Sequence, residues 1–97
     1  SKKCQAHLRE RGFYVVKYHG GIFGIAGTPD LFACINGRFI ACELKSPGKR
    51  PTAIQILTLK QIQRSGGYAF ICDNFEDFKV QIERARGGDV GDPVHLI

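Results

Sequence analysis

The spacing of apolar residues along the chain predicts three helices and four strands. Helices are indicated where apolar residues recur every three or four positions, and strands where β-branched and aromatic residues cluster between turn residues. The fully apolar strand at 68–72 is expected at the centre of the sheet, where both of its faces would be covered. In chain order the predicted elements are a helix at 2–11, strands at 13–18, 31–36 and 39–45, a helix at 52–65, a strand at 68–72 and a helix at 75–86.

This order of elements favours an α/β (α+β) fold in which a mixed central sheet is flanked by helices. The chain has 97 residues and is expected to form a single domain over 1–97. Its apolar fraction of 43% and charged fraction of 24% are typical of a globular protein. We expect the glycine-rich segment 87–97 to be a C-terminal tail. The first helix begins without a capping residue, so we expect it to be truncated at its N-terminus.

The central hairpin makes a specific prediction about which side chains meet. Asn36-Gly37 lies between two strand-like runs, and a type I′ turn favours this dipeptide because both central residues need positive φ. A two-residue loop then pairs Asp30 with Glu43, and the alternation of side chains places Lys45 on the same face. A bulge or a longer loop would shift the pairing by one residue and send the two carboxylates to opposite faces.

Two directly opposed carboxylates destabilise a sheet unless something neutralises them, and a divalent cation is the simplest candidate. Oxygen ligands favour Mg²⁺ or Mn²⁺, which could polarise a phosphoryl oxygen and activate water for phosphodiester cleavage. Lys45 could orient that water or offset charge in the transition state. The backbone carbonyl of Leu44 could be a further ligand of the metal. The alternative is that Asp30, Glu43 and Lys45 are ordinary solvated residues at the sheet rim.

Gln55 has two interpretations that do not exclude each other. Thr52 and Gln55 have the spacing of a capping box, in which each side chain bonds the other's backbone at the start of a helix. Gln55 would also begin the helix that follows the Glu43 strand, where its amide could orient water or phosphate.

The charge balance favours a polyanionic partner. Fourteen Lys and Arg residues against nine Asp and Glu residues give a net charge of +5, which favours nucleic acid over a membrane surface. The candidate DNA contacts are Lys17, His19, Lys49 and Arg50, although each alone is more often a solvated surface charge. These contacts would read the shape of the DNA rather than its sequence. No apolar run approaches the roughly 18 residues that a membrane span requires.

The four cysteines indicate where the protein works. Their spacing fits no zinc motif, and alternation in the hairpin points Cys34 and Cys42 to opposite faces. We therefore expect buried free thiols in a reducing cytoplasm. No signal peptide is visible at the N-terminus, which agrees with a cytoplasmic protein of a bacterial or phage-infected cell.

These motifs together resemble the VRR-NUC nuclease domain of the PD-(D/E)XK superfamily. The resemblance covers roughly residues 1–85 and is carried by Gly-x-Pro-Asp at 27–30, Glu-x-Lys at 43–45, Pro-Gly-Lys-Arg-Pro-Thr-x-x-Gln at 47–55 and Gly-Gly at 66–67. It implies a restriction-endonuclease-like αβββαβα core. It also implies that Asp30, Glu43 and the Leu44 carbonyl bind metal, that Lys45 is catalytic, and that Gln55 is an auxiliary residue of the active site.

The resemblance further implies a homodimeric, Mg²⁺- or Mn²⁺-dependent endonuclease that cuts four-way (Holliday) DNA junctions. A flap- or end-directed nuclease of the same fold and a non-catalytic DNA-binding module are the alternatives. Members of the family usually carry a glutamate in the first helix, whereas the first acidic residue of this chain is Glu10, near the helix end. The apolar residues that could form a dimer surface are Ile22, Phe23, Ile25 and the segment 94–97.

Overall fold

The computed structural model describes residues 1–18 and 24–88, and within these ranges all seven predicted elements are present. They are α1 (Lys2–Glu10), β1 (Tyr14–Lys17), β2 (Leu31–Ile35), β3 (Arg38–Leu44), α2 (Ala53–Arg64), β4 (Tyr68–Cys72) and α3 (Phe75–Arg86). The predicted bounds differ from these by at most one residue at either end, and those of β4 and α3 agree. The architecture is a small α+β fold in which three helices pack on a four-stranded mixed sheet.

The hairpin between β2 and β3 has the predicted turn and the predicted register. Asn36 has φ 52° and Gly37 has φ 80°, the pair of positive angles that a type I′ turn requires. Ile35 pairs with Arg38, and the ladder continues antiparallel to Leu31 opposite Cys42. There is no bulge in this ladder, so the two carboxylates were correctly predicted to share a face.

The prediction for β4 was wrong in one respect. The strand order is β1-β2-β3-β4, so β4 lies at an edge of the described sheet and pairs in parallel with β3. It is apolar because helices cover both of its faces. Ala69 packs in a cluster with Leu59 of α2, and Phe70 packs with Phe78 of α3.

The helices cover the two faces of the sheet unequally. α1 and α3 pack on one face over a large core that includes Leu8, Phe70 and Phe78. α2 packs on the other face over a small cluster of Ala41, Leu59 and Ala69, with Phe32, Ile62 and Ile71 partly buried around it. That second face is therefore covered over β3 and β4 and open over β1, where Tyr14 and Val16 are exposed.

The cysteines follow this asymmetry. Cys4, Cys42 and Cys72 are buried free thiols, as predicted, but Cys34 is exposed. The prediction failed for Cys34 because this residue points from β2 to the open side of the sheet, opposite Tyr14 on β1 and Phe39 on β3. No helix among the described residues is long and apolar enough to cross a membrane.

Candidate metal centre

The rim of the sheet where β2 begins and β3 ends holds Asp30 in a fixed position. The Tyr18 amide donates to the Asp30 carbonyl oxygen at 2.7 Å, and the Leu44 amide donates to Oδ2 of Asp30 at 2.9 Å. Both neighbouring strands thus bind Asp30 through their backbones. Because Leu31 pairs with Cys42, the next step along the ladder sets Asp30 opposite Glu43.

The segment before Asp30 is packed tightly against α2. Gly27 has φ 82°, and a Cβ at that position would lie 2.9 Å from the Ile54 carbonyl oxygen. Pro29 is fully buried. Only glycine fits both the backbone angle and the close approach, so the Gly-x-Pro-Asp motif places Asp30 by anchoring its segment to a helix.

Glu43 is a buried carboxyl whose pKa is raised from its usual value to about 8. Its side chain is only 3% exposed, and this burial is the main cause of the shift. A hydrogen bond to the Asp30 carboxyl and the negative charge of Asp30 raise the pKa further, while the charges of Lys45 and Lys17 lower it. Glu43 therefore favours its protonated form at neutral pH in the metal-free protein.

One oxygen of the Glu43 carboxyl lacks a hydrogen-bond donor in the described part of the protein. Oε2 of Glu43 is buried and accepts no hydrogen bond from any described N–H or O–H group. A buried carboxylate oxygen without a donor is costly, and either a proton shared with Asp30 or a cation would satisfy it. The donor set, two hard carboxylates beside a strand end, fits Mg²⁺ or Mn²⁺, which typically take one or two carboxylates plus waters and substrate oxygens.

The described residues offer such an ion no third carboxylate, imidazole or thiolate. No group of three or more His, Cys, Asp or Glu side chains that could hold a metal occurs within 1–18 and 24–88. Leu44 bonds Asp30 through its amide, and the carbonyl of Leu44 stays a predicted ligand. An ion at this rim would need backbone, solvent or substrate oxygens to complete its coordination.

Lys45 is held beside the two carboxyls by the sheet. Its amide donates to the Cys72 carbonyl oxygen at 2.9 Å, which extends the pairing of β3 with β4 by one residue. Its ammonium is close enough to lower the pKa of Glu43, as is the ammonium of Lys17 at the end of β1. Lys17 was predicted only as a DNA contact, and its nearness to Glu43 could not be read from the sequence.

Gln55 is occupied by helix capping. Its Oε1 accepts a hydrogen bond from the backbone amide of Thr52 at 2.8 Å, and the backbone amide of Gln55 donates to Oγ1 of Thr52 at 3.2 Å. The capping box is therefore confirmed. The described hydrogen bonds of Gln55 use its side-chain oxygen and leave the Nε2 amide to act elsewhere.

The structure describes only some of the remaining predicted residues. Lys49 and Arg50 are exposed in the loop that follows Lys45, where Gly48 adopts φ 84°. His19 lies outside the described residues, as do Ile22, Phe23 and 94–97 of the predicted dimer surface. Ile25, the last residue of that surface, is 79% exposed.

Sequence reasoning missed a cavity on the other side of Lys45. Its volume is about 200 Å³, and it lies at the carboxyl ends of β3 and β4. Lys3, Lys45 and Asp73 bring charge to its lining. Only the parallel pairing of β3 with β4, which joins distant parts of the chain, creates this cavity.

Comparison with known proteins identifies no relative, because the chain matches no family model and no curated protein. The chemistry of this rim is therefore interpreted from its own geometry.

Proposed function

We propose that the protein is a Mg²⁺- or Mn²⁺-dependent endodeoxyribonuclease. The observation that carries the proposal is the Asp30–Glu43 pair, two carboxyls brought together by the β2–β3 register with Lys45 beside them. Two ionised carboxylates directly opposite each other destabilise a sheet, and a cation bound between them would remove that cost. The VRR-NUC resemblance of the sequence and its restriction-endonuclease-like core belong to the same proposal.

Asp30 and Glu43 would hold the cation, with the Leu44 carbonyl as a further ligand. When bound, the metal supplies charge stabilisation of a phosphoryl oxygen and a more acidic water. The protein's own part is geometric. Asp30 is fixed from two strands, so the position of the scissile phosphate would be set by backbone hydrogen bonds rather than by mobile side chains.

Lys45 would act on the negative charge that develops on the phosphate during cleavage. It lies on the same strand end as Glu43, and its ammonium already interacts with that carboxyl. A fixed cation aimed at developing charge stabilises the transition state more than the ground state. Gln55, with Nε2 not used in capping, is the auxiliary residue that could orient water or phosphate.

The proposed substrate is branched DNA, a four-way junction first, recognised by shape. The net charge of +5 and the exposed Lys49 and Arg50 next to the rim support a polyanionic substrate. A homodimer would present two such sites about a twofold axis, which suits nicking of two strands. The proposed location is the cytoplasm, where the free thiols of the described chain would stay reduced.

Cleavage assays with matched variants test this function. Wild-type protein with Mn²⁺ should cut a mobile four-way junction, whereas Asp30→Asn, Glu43→Gln and Lys45→Ala should each cut at least about 100-fold more slowly. Glu10→Gln and Lys60→Ala make the same chemical changes at exposed helix positions and should cut normally. Equal rates for all five variants would remove the rim from the mechanism.

A non-catalytic DNA-binding module is the second candidate. The feature in its favour is that α1 carries no acidic residue in its first turn, where members of the VRR-NUC family usually have a glutamate. Its signature would be salt-sensitive junction binding without turnover at any Mg²⁺ or Mn²⁺ concentration. A panel of junction, flap and linear duplex separates the junction-cutting enzyme from a flap- or end-directed one.

A further inference from the structure

The sheet face that carries Asp30 and Glu43 ends in exposed aromatic rings away from the rim. Tyr14 on β1 and Phe39 on β3 lie in one row across the sheet, each opposite Cys34 on β2. Tyr14 is 72% exposed because α2 does not reach β1, and Phe39, at the start of β3 beside the part that α2 covers, is still 50% exposed. Exposed rings in a row on an open sheet are the arrangement by which some sheets stack nucleic-acid bases.

Phe39 also forms one wall of a groove against α2, the β3–α2 groove. Its volume is about 380 Å³, within the range of small-ligand pockets, and it is lined by Phe39, Thr58, Gln61, Ile62, Ser65 and Gly67. The groove is apolar at the ring and at Ile62. Its polar edge comes from Gln61, whose exposed side-chain amide can both donate and accept hydrogen bonds.

The Phe39 ring is held in place by its neighbours. Its centroid lies 5.3 Å from that of Phe32, with 30° between the ring planes. Gly67 packs against the backbone of Phe39 rather than its ring, since a Cβ there would lie 3.0 Å from the Phe39 carbonyl oxygen, and this fixes the strand that carries the ring. A ring fixed in this way loses little conformational entropy when a flat ligand stacks on it.

The groove lies within reach of the metal rim. Phe39 and Glu43 are four residues apart on the same face of β3, which corresponds to about 13 Å along the strand. Ala41 lies between them and is buried under α2. A nucleic-acid strand with one phosphate at the rim would therefore run beside α2, over the half-buried Phe32 and the exposed Cys34 of β2, and bring a nearby base to Phe39. The positive net charge of the chain would favour that path.

We propose that the β3–α2 groove binds an unpaired nucleobase of the strand whose phosphate lies at Asp30 and Glu43. The base stacks on Phe39 and hydrogen-bonds through its edge to Gln61. This inference rests on the proposed nuclease function and adds a substrate class to it, nucleic acid with unstacked bases close to the cut. An aromatic wall with a polar edge suits a base, which is flat and carries donors and acceptors only at its rim.

Binding without metal tests the groove separately from catalysis. Two oligonucleotides of equal length, oligothymidylate and an abasic strand, are titrated in EDTA while fluorescence anisotropy is measured. Phe39→Leu should weaken binding of oligothymidylate by roughly 5- to 150-fold and leave abasic binding unchanged, because only the stacking is lost. Gln61→Ala should also weaken the binding of oligothymidylate and leave abasic binding unchanged. Val80→Ser, a change at an exposed apolar position of α3, should alter neither affinity.

A second measurement guards against variants that fail to fold. The chain contains no tryptophan, so Phe39→Trp places one fluorophore in the groove and keeps an aromatic ring there. Its fluorescence should be quenched by oligothymidylate and not by the abasic strand. Equal quenching by both strands, or by neither, would overturn the proposal.

The remaining outcomes are distinct. If wild-type protein binds neither strand, the groove proposal is overturned, while the proposed function is decided separately by junction cleavage. If Asp30→Asn, Glu43→Gln and Lys45→Ala lose cleavage while Phe39→Leu binds both strands normally, only the groove proposal is wrong. If Phe39→Leu turns a dimer into a monomer in light scattering, the open face is a contact between two copies, and the proposal is overturned.

Discussion

Asp30 and Glu43 lie opposite each other at the ends of β2 and β3, and the hydrogen bond between their carboxyls helps to keep Glu43 protonated up to a pH of about 8. The Leu44 amide holds one oxygen of Asp30 in place, so the backbone maintains this pairing. A cation bound between the two carboxyls would compete with the proton on Glu43. The metal-free protein and the metal-bound protein should therefore respond to pH in different ways.

Metal-free protein should become less stable as the pH rises from about 4.5 to about 8. In this window Glu43 is protonated in the folded state and ionised in the unfolded state, so unfolding releases a proton and is favoured at higher pH. The loss should be no more than about 5 kcal/mol, since a difference of one between the folded and unfolded pKa values corresponds to about 1.4 kcal/mol. Urea unfolding in EDTA at pH 5 and pH 8.5 measures this loss in the free energy of unfolding. Glu43→Gln should lack this part of the pH dependence, and identical profiles for the two proteins would contradict the prediction.

Divalent metal should raise the melting temperature of the wild-type protein, and more strongly at pH 8.5 than at pH 6. Metal has to displace the proton on Glu43, so its affinity falls as the pH falls. Thermal melts with Mn²⁺ and with EDTA at both pH values measure the shift. Asp30→Asn and Glu43→Gln should abolish it, while Glu10→Gln should keep it. A shift that survives both rim substitutions would place the metal elsewhere.

The two predicted roles of Gln55 separate in a single substitution. Gln55→Glu keeps an oxygen acceptor for the Thr52 amide but loses the amide donor Nε2. We expect its stability to match that of the wild type, whereas Gln55→Ala should lose about 1 kcal/mol because the capping box is broken. We expect Gln55→Glu nevertheless to cut a junction more slowly. Wild-type turnover by this variant would leave Gln55 as a capping residue only.

Lys49 and Arg50 should contribute to affinity through phosphate contacts. The logarithm of the DNA-binding constant falls linearly with the logarithm of the salt concentration. Replacing both residues with alanine should make this slope less steep by about 1.8, since each phosphate contact contributes about 0.9. Junction binding in EDTA over a series of salt concentrations measures this slope. Lys60→Ala combined with Arg64→Ala is the matched control on the exposed side of α2. A slope that the loop substitutions leave unchanged would mean that neither residue touches phosphate.

The close packing of β4 against α2 should be sensitive to a single methyl group. A Cβ at Gly67 would lie 2.8 Å from Cγ2 of Ile62 and 3.0 Å from the Phe39 carbonyl oxygen. Gly67→Ala should therefore cost about 1–3 kcal/mol of unfolding free energy. Gly87→Ala has no contact closer than 3.4 Å and should be close to neutral. Denaturant unfolding of both variants compares them directly.

Local interactions made much of this structure predictable. Asn36-Gly37 determines the hairpin register within a few residues, and that register is enough to bring Asp30 and Glu43 together. The capping box at Thr52 and the Asn74 side chain that accepts from the Asp77 amide are equally local. Each of these features depends on residues close together in the chain, so the sequence alone carries the signal.

The sequence by itself determined the elements, the hairpin register and the convergence of two carboxylates with a lysine. Tertiary structure decided that β4 lies at an edge, that Cys34 is exposed and that Glu43 is buried deeply enough to hold a proton near pH 8. Those properties depend on which half of the sheet α2 covers and on the pairing of β3 with the distant β4. Contacts between remote segments result from packing of the whole chain, and no local pattern of residues specifies them.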